Sequence, residues 1–270
     1  MSRPQLWDCF LFGTELDMLE AHLTETDPFV HRWVLVESQR THRGEPKPLY
    51  YAENRERFAP WADRIAHVVT DLPDHPNPWV REHAQRDAAL TALADAGDGD
   101  VVLISDVDEF PPPRFLRPGP GARVRQHLEP DAAVAFLQRV CLFAVDWEWP
   151  ADEICSVAAR VGYVRARRGL AAVRDARNRY PVIAGGWHLT WLGGPAATAA
   201  KLATHCHLEI TPQQAQMVAS GHCYREGTYY NGTALLPVDV DESWPALIRE
   251  RKCPPEWFRP RSGQPEAGNR

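Results

Sequence analysis

The chain has 270 residues, of which 44% are hydrophobic and 24% charged, a balance typical of a globular protein rather than a disordered one. This length suits one large α/β domain or two small ones, and we favour one. The net charge of −6 and the isoelectric point near 6.0 lack the basic footprint of a nucleic-acid-binding protein, so no nucleic-acid partner is expected.

The spacing of the cysteines and the N-terminal residues indicate in which cellular compartment the protein is expected. The six cysteines are scattered along the chain, and no two of them form a Cys-x-x-Cys pair. Residues 1–4 do not begin a signal peptide, and no apolar run is long enough to span a bilayer. We therefore expect free thiols, a cytoplasmic location and no stable membrane insertion.

The N-terminal segment predicts a strand, a helix and a second strand. Residues 6–12 form an apolar run that indicates the first strand. The helix is expected to begin after Thr14, whose hydroxyl can cap it, because leucines recur on one face of the following segment. The second strand, at 30–36, ends on Glu37, which is either a solvated strand terminus or a ligand contact.

A helix with clear boundary signals follows further along the chain. Asn77 can cap this helix, Pro78 suits its first position, and Gly97 stands where a C-terminal cap is expected. Arg86 lies on this helix, four residues after Glu82. It is either a surface partner of that carboxylate or a ligand contact.

The most informative stretch joins a buried strand to a cluster of acids. Residues 101–104 are Val-Val-Leu-Ile, the pattern of a strand that is buried on both faces. Asp106, Asp108 and Glu109 follow at once. Because ligands of open α/β sheets bind beyond the carboxyl ends of the strands, Asp106 and Asp108 are expected at a ligand or metal site.

The Asp-x-Asp (DXD) motif is weak by itself, and its context narrows its meaning. A helix-loop-helix calcium loop requires an Asp or Asn and then a Gly after the second acid, where this chain has Phe110 and Pro111. The calcium loop is therefore excluded. What remains is a site of hard oxygen ligands suited to Mg²⁺ or Mn²⁺, ions that are commonly shared with substrate phosphates.

The second half of the chain is harder to interpret. A strand is expected at 132–145, and an arginine-rich segment at 160–179 is either a solvated face or a contact for an anionic substrate. Glycine pairs at 185–186 and 193–194 flank a strand-like core, where backbone can approach a ligand closely. Residues 259–270 are polar and rich in Pro and Gly, as in a disordered tail.

Several common sites are not supported by the spacing of their residues. The cluster of His205, Cys206, His207, His222 and Cys223 matches no common zinc pattern. The chain has no Gly-x-Gly-x-x-Gly and no phosphate-binding loop with Gly-Lys-Ser/Thr. Ordinary dinucleotide binding and ATP hydrolysis are therefore not expected.

A series of short motifs resembles glycosyltransferase family 17, the family of the β-1,4-mannosyl-glycoprotein 4-β-N-acetylglucosaminyltransferase. The motifs are WDCFLF (7–12), ELDML (15–19), VLVES (34–38), TH (41–42), PKPL (46–49), QRD (85–87), ISDVDE (104–109), GWH (186–188), KL (201–202) and HLE (207–209). They occur in the family's order and together extend over residues 6 to about 210.

The resemblance implies a fold and a reaction. The fold would be an α/β, GT-A-like Rossmann-type domain with a central mixed, mostly parallel sheet flanked by helices. We expect one domain at 1–258, with a nucleotide-sugar-binding half at 1–130 and an acceptor-side half at 131–258. The reaction would be an inverting transfer, with Mn²⁺ or Mg²⁺, of a sugar such as N-acetylglucosamine from a UDP-sugar to a carbohydrate or glycoconjugate acceptor.

The resemblance also suggests roles for residues on the donor side. Asp108 would hold the metal, and Asp106 would contact the metal or the ribose. His188 is either a further metal ligand or a core histidine. The expected nucleotide contacts are Glu37, Arg86, Ser105 and Asp106.

An inverting transfer needs a carboxylate that removes the proton of the acceptor hydroxyl. Four acids are candidates, Glu209, Glu109, Glu148 and Asp175, and we predict Glu209. Each of them could equally be an ordinary surface acid.

Two other functions remain open. A sugar-nucleotide pyrophosphorylase can share this architecture, although Gly13-Thr14-Glu15 is a poor version of its glycine-rich loop. A carbohydrate-binding module without catalysis could retain the fold, and the presence of both Asp106 and Asp108 argues against it.

Overall fold

The computed structural model describes residues 4–116, 128–129, 132–204, 206 and 210–260. The described strands are β1 (Leu6–Leu11), β2 (Arg32–Glu37), β3 (Ile65–Val69), β4 (Val101–Asp106), β5 (Glu109–Phe110), β6 (Ala133–Leu142), β7 (Trp147–Glu148), β8 (Glu153–Arg160), β9 (Val182–Thr190) and β10 (Leu236–Pro237).

Helices of varied length connect and flank these strands. The described α-helices are α1 (Leu16–Thr26), α2 (Tyr50–Glu53), α3 (Pro78–Ala88), α4 (Pro113–Leu116), α5 (Val161–Ala166), α6 (Leu170–Asp175), α7 (Gly194–Thr204), α8 (Pro212–Ala219), α9 (His222–Glu226) and α10 (Ala246–Arg249). The 3₁₀ turns are Arg55–Arg64, Ala89–Asp95, Arg177–Arg179 and Pro255–Trp257. Within the described ranges, no helix is long and apolar enough to cross a membrane.

The strands form one mixed sheet in the order β10-β7-β6-β8-β4-β1-β2-β3, and β9 and β5 join it beside β6. Strands β3, β2, β1 and β4 run parallel to one another, whereas β8 is antiparallel to both β4 and β6. The longest runs of paired residues, β6 with β9 and β1 with β4, are parallel. The predicted α/β fold with a mixed, mostly parallel sheet flanked by helices is confirmed.

Strand β4 lies in the middle of this sheet because both of its faces are apolar. Val101 and Leu103 pack into one core with Phe10, and Val102 and Ile104 pack into a second core on the other face. All four β4 side chains are fully buried. The alternation of side chains along a strand places the two sets on opposite faces, so both faces are covered.

The predicted boundaries of two helices differ from the observed ones. The prediction that Thr14 caps α1 is wrong: Glu15 holds the cap position, makes no capping hydrogen bond, and accepts one from the Thr14 backbone N–H instead. The cap at Asn77 is confirmed, since its side chain accepts a hydrogen bond from the Trp79 N–H. Helix α3 ends at Ala88 and tightens into a 3₁₀ turn before Gly97, as helix termini commonly do.

The glycine pair before His188 has a specific structural role. Gly186 has a φ of +97°, and a Cβ at this position would lie 2.5 Å from the Phe110 carbonyl oxygen. Only glycine allows β9 to approach β5 this closely. The resulting antiparallel pairing sets His188 opposite Glu109, directly beside the acidic motif.

Candidate functional site

A cleft of about 440 Å³ opens at the carboxyl ends of β1, β2 and β4. Leu11, Phe12 and Gly13 line it from the end of β1, and Asp106 and Asp108 line it from the end of β4. In open α/β sheets, ligands bind at this edge. The cleft therefore lies where the sequence predicts a ligand site.

Asp106 lies at the last position of β4 between two arginines. Arg86 of α3 donates to its Oδ1 at 2.7 Å, and Arg174 of α6 donates to its Oδ2 at 3.2 Å. Burial by itself would raise the pKa of Asp106, but the charges of Arg86 and Arg174 outweigh it and hold the pKa below the ordinary value. Asp106 is thus an ionised carboxylate with a fixed orientation.

Arg86 pairs with Glu82 and also lines the cleft, and its contact with a ligand stays a prediction. Its guanidinium donates to the Glu82 carboxylate one helical turn earlier, as well as to Asp106. It also donates to the Ser105 carbonyl oxygen at 3.0 Å. Arg86 is buried and lines the cleft, so it is not a surface partner of Glu82.

Asp108 faces a different pair of cations. Lys201 of α7 donates to its Oδ2 at 2.6 Å, and the His188 Nε2 lies 3.5 Å from its Oδ1. Burial would raise the pKa of Asp108, but Lys201 and His188 lower it overall. Burial would lower the pKa of His188, which the Asp108 charge instead raises well above its ordinary value. The three groups form a charged cluster at the floor of the cleft.

Glu109 is a buried carboxylate that accepts hydrogen bonds from several groups next to this cluster. Arg174 donates to both of its carboxylate oxygens, at 2.8 and 2.5 Å, and the Ser156 hydroxyl donates at 2.8 Å. The Asp106 backbone N–H also donates to Glu109. Glu109 is buried, and its oxygens bind Arg174 and the Asp106 backbone N–H. Its role is therefore structural, and it is not accessible to an acceptor hydroxyl.

Two of the predicted nucleotide contacts lie beneath the cleft instead of lining it. Glu37 is fully buried; it accepts a hydrogen bond from the Tyr51 N–H at 3.1 Å, and its carboxylate lies 3.1 Å from His67 Nε2. Ser105 is also fully buried and donates to the Asp8 carboxylate at 3.0 Å. Their contact with a nucleotide stays a prediction.

The predicted candidates for the catalytic base are dispersed. Glu148 accepts hydrogen bonds from Arg139, and Asp175 is exposed beside His83. Glu209, the predicted base, lies outside the described residues, as do His205 and His207 of the unsupported zinc cluster. A further carboxylate that the sequence did not single out, Glu153, lines the cleft.

A metal ion needs several ligand atoms that lie close together, and the described part of the chain brings some of them together. There, one group of three such side chains has ligand atoms within 4.8 Å of one another: Glu109, Cys155 and His188. Arg174 and Ser156 already occupy the Glu109 oxygens, and burial raises the pKa of the Cys155 thiol. Asp108 and His188 are the better donor pair, because both line the cleft and their ligand atoms face each other.

Sequence reasoning missed the importance of two basic residues. Arg174 is one of seven arginines in its segment, and nothing in the composition distinguishes it from the exposed ones. Lys201 entered only as part of a resemblance motif. A charge-pairing rule could not find either residue, because Lys201 and Asp108 are 93 positions apart in the chain.

Comparisons with known proteins find a family model and solved structures that are similar to this chain. The mannosyltransferase PcManGT from Pyrobaculum calidifontis, solved in complex with GDP-Man and Mn²⁺, is 15% identical with a TM-score of 0.44. The likeness covers 76% of this chain and 64% of that chain. No curated protein matches. The model of glycosyltransferase family 17 matches residues 1–118. The resemblance of the N-terminal motifs to glycosyltransferase family 17 is therefore confirmed over those residues.

Proposed function

We propose that the protein is an inverting, metal-dependent glycosyltransferase that moves a sugar from a UDP-sugar to a hydroxyl of a carbohydrate or glycoconjugate. N-acetylglucosamine is the proposed sugar, as in the family enzyme that the motifs resemble. The observation that carries the proposal is the convergence of Asp106, Asp108, Arg86 and Lys201 in one cleft at the carboxyl ends of the strands. The cytoplasmic location stays a prediction.

The cleft offers positive charge for a diphosphate. Lys47 and Arg40 line it from the loop after β2, in addition to Arg86 and Lys201. Arg40 is exposed, and its guanidinium makes no ion pair with another residue in the described ranges. A guanidinium that is free to bind and has a planar set of donors suits a phosphate group well.

The residues present also fit a divalent cation. Asp108 and His188 would hold it, and Asp106 is the predicted third ligand. Both Asp106 oxygens accept hydrogen bonds from arginines, and a carboxylate oxygen keeps a second lone pair for a cation. Bound Mn²⁺ or Mg²⁺ supplies Lewis-acid neutralisation of the charge that develops on a diphosphate leaving group.

The protein's own side chains would orient the donor. Arg86 is fixed by Glu82, Asp106 and the Ser105 carbonyl, so its position is set before a ligand arrives. Such preorganisation reduces the cost of arranging charge at the moment of reaction. Lys201 is held by Asp108 and by the Thr190 hydroxyl, and it can shift from these oxygens to a phosphate.

The first prediction is that the protein releases UDP from a UDP-sugar in the presence of Mn²⁺. A panel of UDP-sugars is incubated with the protein, with and without p-nitrophenyl glycosides as acceptors, and UDP is measured enzymatically. We expect slow release with water as acceptor and faster release with one of the glycosides.

The same panel tests the other functions. Absence of UDP release with every UDP-sugar, together with no metal-dependent thermal shift, would reject the transferase. Binding of glycosides without any turnover would instead indicate a carbohydrate-binding module. Pyrophosphate-dependent formation of UTP from a UDP-sugar would indicate a pyrophosphorylase.

A further inference from the structure

Glu153 begins strand β8 and extends past the end of the neighbouring strand. The last pair between β8 and β4 joins Val157 to Ile104, whereas β4 ends at Asp106. Strand β8 is antiparallel to β4, so its first residues project beyond the carboxyl end of β4. Glu153 therefore borders the cleft from the side opposite to β1 and β2, and it is one of the lining residues.

The start of β8 lies close to the pair of His188 and Asp108. The pairing of β8 with β6 shifts register between Ile154 and Val157, so simple alternation of side chains does not apply at Cys155. The Cys155 Sγ lies 3.8 Å from His188 Nδ1. Glu153 precedes Cys155 by two residues and lines the same cleft as His188 and Asp108.

Glu153 differs from the other carboxylates of the cleft in its lack of a cation. The others are paired: Asp106 with Arg86 and Arg174, Asp108 with Lys201, Glu82 with Arg86, and Glu15 with Lys201. Glu153 is exposed, and in the part of the chain that the structure describes it makes no ion pair and no side-chain hydrogen bond. Both of its carboxylate oxygens can therefore accept a hydrogen bond from the hydroxyl of a bound acceptor.

The wall around Glu153 is aromatic. Trp149, Trp191 and Tyr229 line this end of the cleft, and the rings of Trp149 and Tyr229 pack edge to face with centroids 5.2 Å apart. Flat aromatic faces with polar edges suit a sugar ring, which has apolar C–H faces and hydroxyls at its rim. The basic side chains of the loop after β2 lie on the other side of β4 in the strand order of the sheet. The cleft therefore has a charged end for a diphosphate and an aromatic end for an acceptor sugar.

We propose that Glu153 is the base that takes the proton of the acceptor hydroxyl, with the acceptor sugar seated on Trp149 and Tyr229. This inference rests on the proposed transferase function. The acceptor oxygen forms a bond to the anomeric carbon of the donor sugar as the bond from that carbon to the diphosphate oxygen breaks. The hydroxyl proton passes to the Glu153 carboxylate, and the electron pair of the broken bond leaves on the diphosphate. Glu153 is an alternative to the predicted base Glu209.

The test replaces the carboxylate by an amide of the same shape. Glu153→Gln is expected to lower kcat/KM for UDP release by about 10²–10⁴-fold, the usual effect of losing a general base. The readout uses UDP-N-acetylglucosamine, Mn²⁺ and the p-nitrophenyl glycoside that the native protein uses fastest, or water when no glycoside is used. UDP affinity, measured by calorimetry, is expected to stay unchanged, since the proposed contact of Glu153 is with the acceptor hydroxyl and not with UDP.

Matched variants make the result specific. Asp152→Asn removes the neighbouring exposed carboxylate, which does not line the cleft, and is expected to leave kcat/KM unchanged. Glu153→Asp keeps the acid but shortens it, and an intermediate rate is expected. The decline of kcat/KM at acid pH, which reports protonation of the base, should disappear in Glu153→Gln while the thermal midpoint stays equal to that of the native protein.

The two possible failures are distinguishable. If the native protein releases no UDP from any UDP-sugar, the proposed function fails. If the native protein is active and Glu153→Gln retains more than about a tenth of its kcat/KM, or keeps the acid limb of its pH profile, Glu153 is not the base. A loss in Glu209→Gln with full activity in Glu153→Gln would assign the role to Glu209.

Discussion

Lys201 and His188 determine how the Asp108 carboxylate is held. Lys201 comes from α7 and His188 from β9, so both arrive from the second half of the chain. Asp108 is buried, and an unpaired carboxylate there would lose its hydration without compensation. At the level of single residues, the acidic motif is therefore a cluster of paired charges and not a set of bare acids.

The second prediction concerns the Lys201→Met substitution and its dependence on pH. At pH 7 the variant is expected to unfold about 2 kcal/mol more easily, because Asp108 loses its shortest hydrogen bond inside the protein. Lys201 and His188 depress the pKa of Asp108, so the stabilisation by the ionised carboxylate is present above the ordinary value of 3.8 and is lost as the pH falls below it. The difference between native and variant should therefore shrink on acidification, by at most about 1.4 kcal/mol per pH unit.

Urea denaturation at pH 7 and at pH 3 measures this difference. Lys252→Met, at an exposed lysine paired with Glu250 on the surface, serves as the control and should leave the midpoint unchanged. Equal destabilisation by Lys201→Met at both pH values would contradict the account of Asp108.

At the level of secondary-structure elements, the pairing of β5 with β9 brings His188 next to Asp108. The short strand β5 follows the acidic motif directly, and its hydrogen bonds to β9 bring His188 alongside. The Leu189 N–H also donates to the Asp108 carbonyl oxygen at 2.8 Å. Gly186 permits this approach, since any side chain there would meet the Phe110 carbonyl oxygen.

The third prediction is that Gly186→Ala separates β9 from β5. Its φ of +97° is strained for alanine, and the added Cβ would clash with backbone at 2.5 Å, so we expect a loss of at least about 2 kcal/mol of unfolding free energy. His188 should then move away from Asp108, which the imidazole NMR signals of the native protein and the variant would report. Gly99→Ala is the matched control, because a Cβ at Gly99 meets nothing within 4 Å. Unchanged stability and unchanged His188 signals in Gly186→Ala would contradict this role.

At the scale of the whole molecule, the sheet gathers at one edge side chains that are distant in sequence. The first half contributes the acids and the loop after β2, and the second half contributes Arg174, His188, Lys201 and the aromatic wall. The loop after β2 comes from the first half of the chain, the aromatic wall comes from the second, and the charged cluster around Asp108 draws on both. The predicted division into a donor half and an acceptor half stays a prediction that this distribution supports.

Local patterns predicted the parts of the site that depend on a single segment. The apolar run at 101–104 and the acids after it indicate the strand, its burial and the position of Asp106 and Asp108, because strand periodicity and sheet topology are local or general rules. Glu37 was correctly predicted at the carboxyl end of a strand, but its side chain points into the interior toward His67. Alternation along a strand does not indicate which face borders the ligand.

The remaining features depend on tertiary packing. Arg174 is buried against Glu109 because α6 packs against α3 and β8, and the other arginines of its segment differ in environment and not in type. Glu153 borders the cleft because β8 starts beyond the carboxyl end of β4. This offset follows from the register in which the two strands pair. Register is set by pairing partners that the sequence of one segment does not specify.

We propose that the cleft binds a nucleotide diphosphate through a divalent cation held at Asp108. Calorimetric titration of UDP into the native protein, with and without Mn²⁺, and into Asp108→Ala tests it most directly, with thermal melting to verify that the variant is folded. We expect UDP to bind with Mn²⁺, to bind much more weakly without it, and to lose the metal-dependent part in Asp108→Ala. Binding that is independent of the metal, or metal-dependent binding undiminished in Asp108→Ala, would contradict the claim.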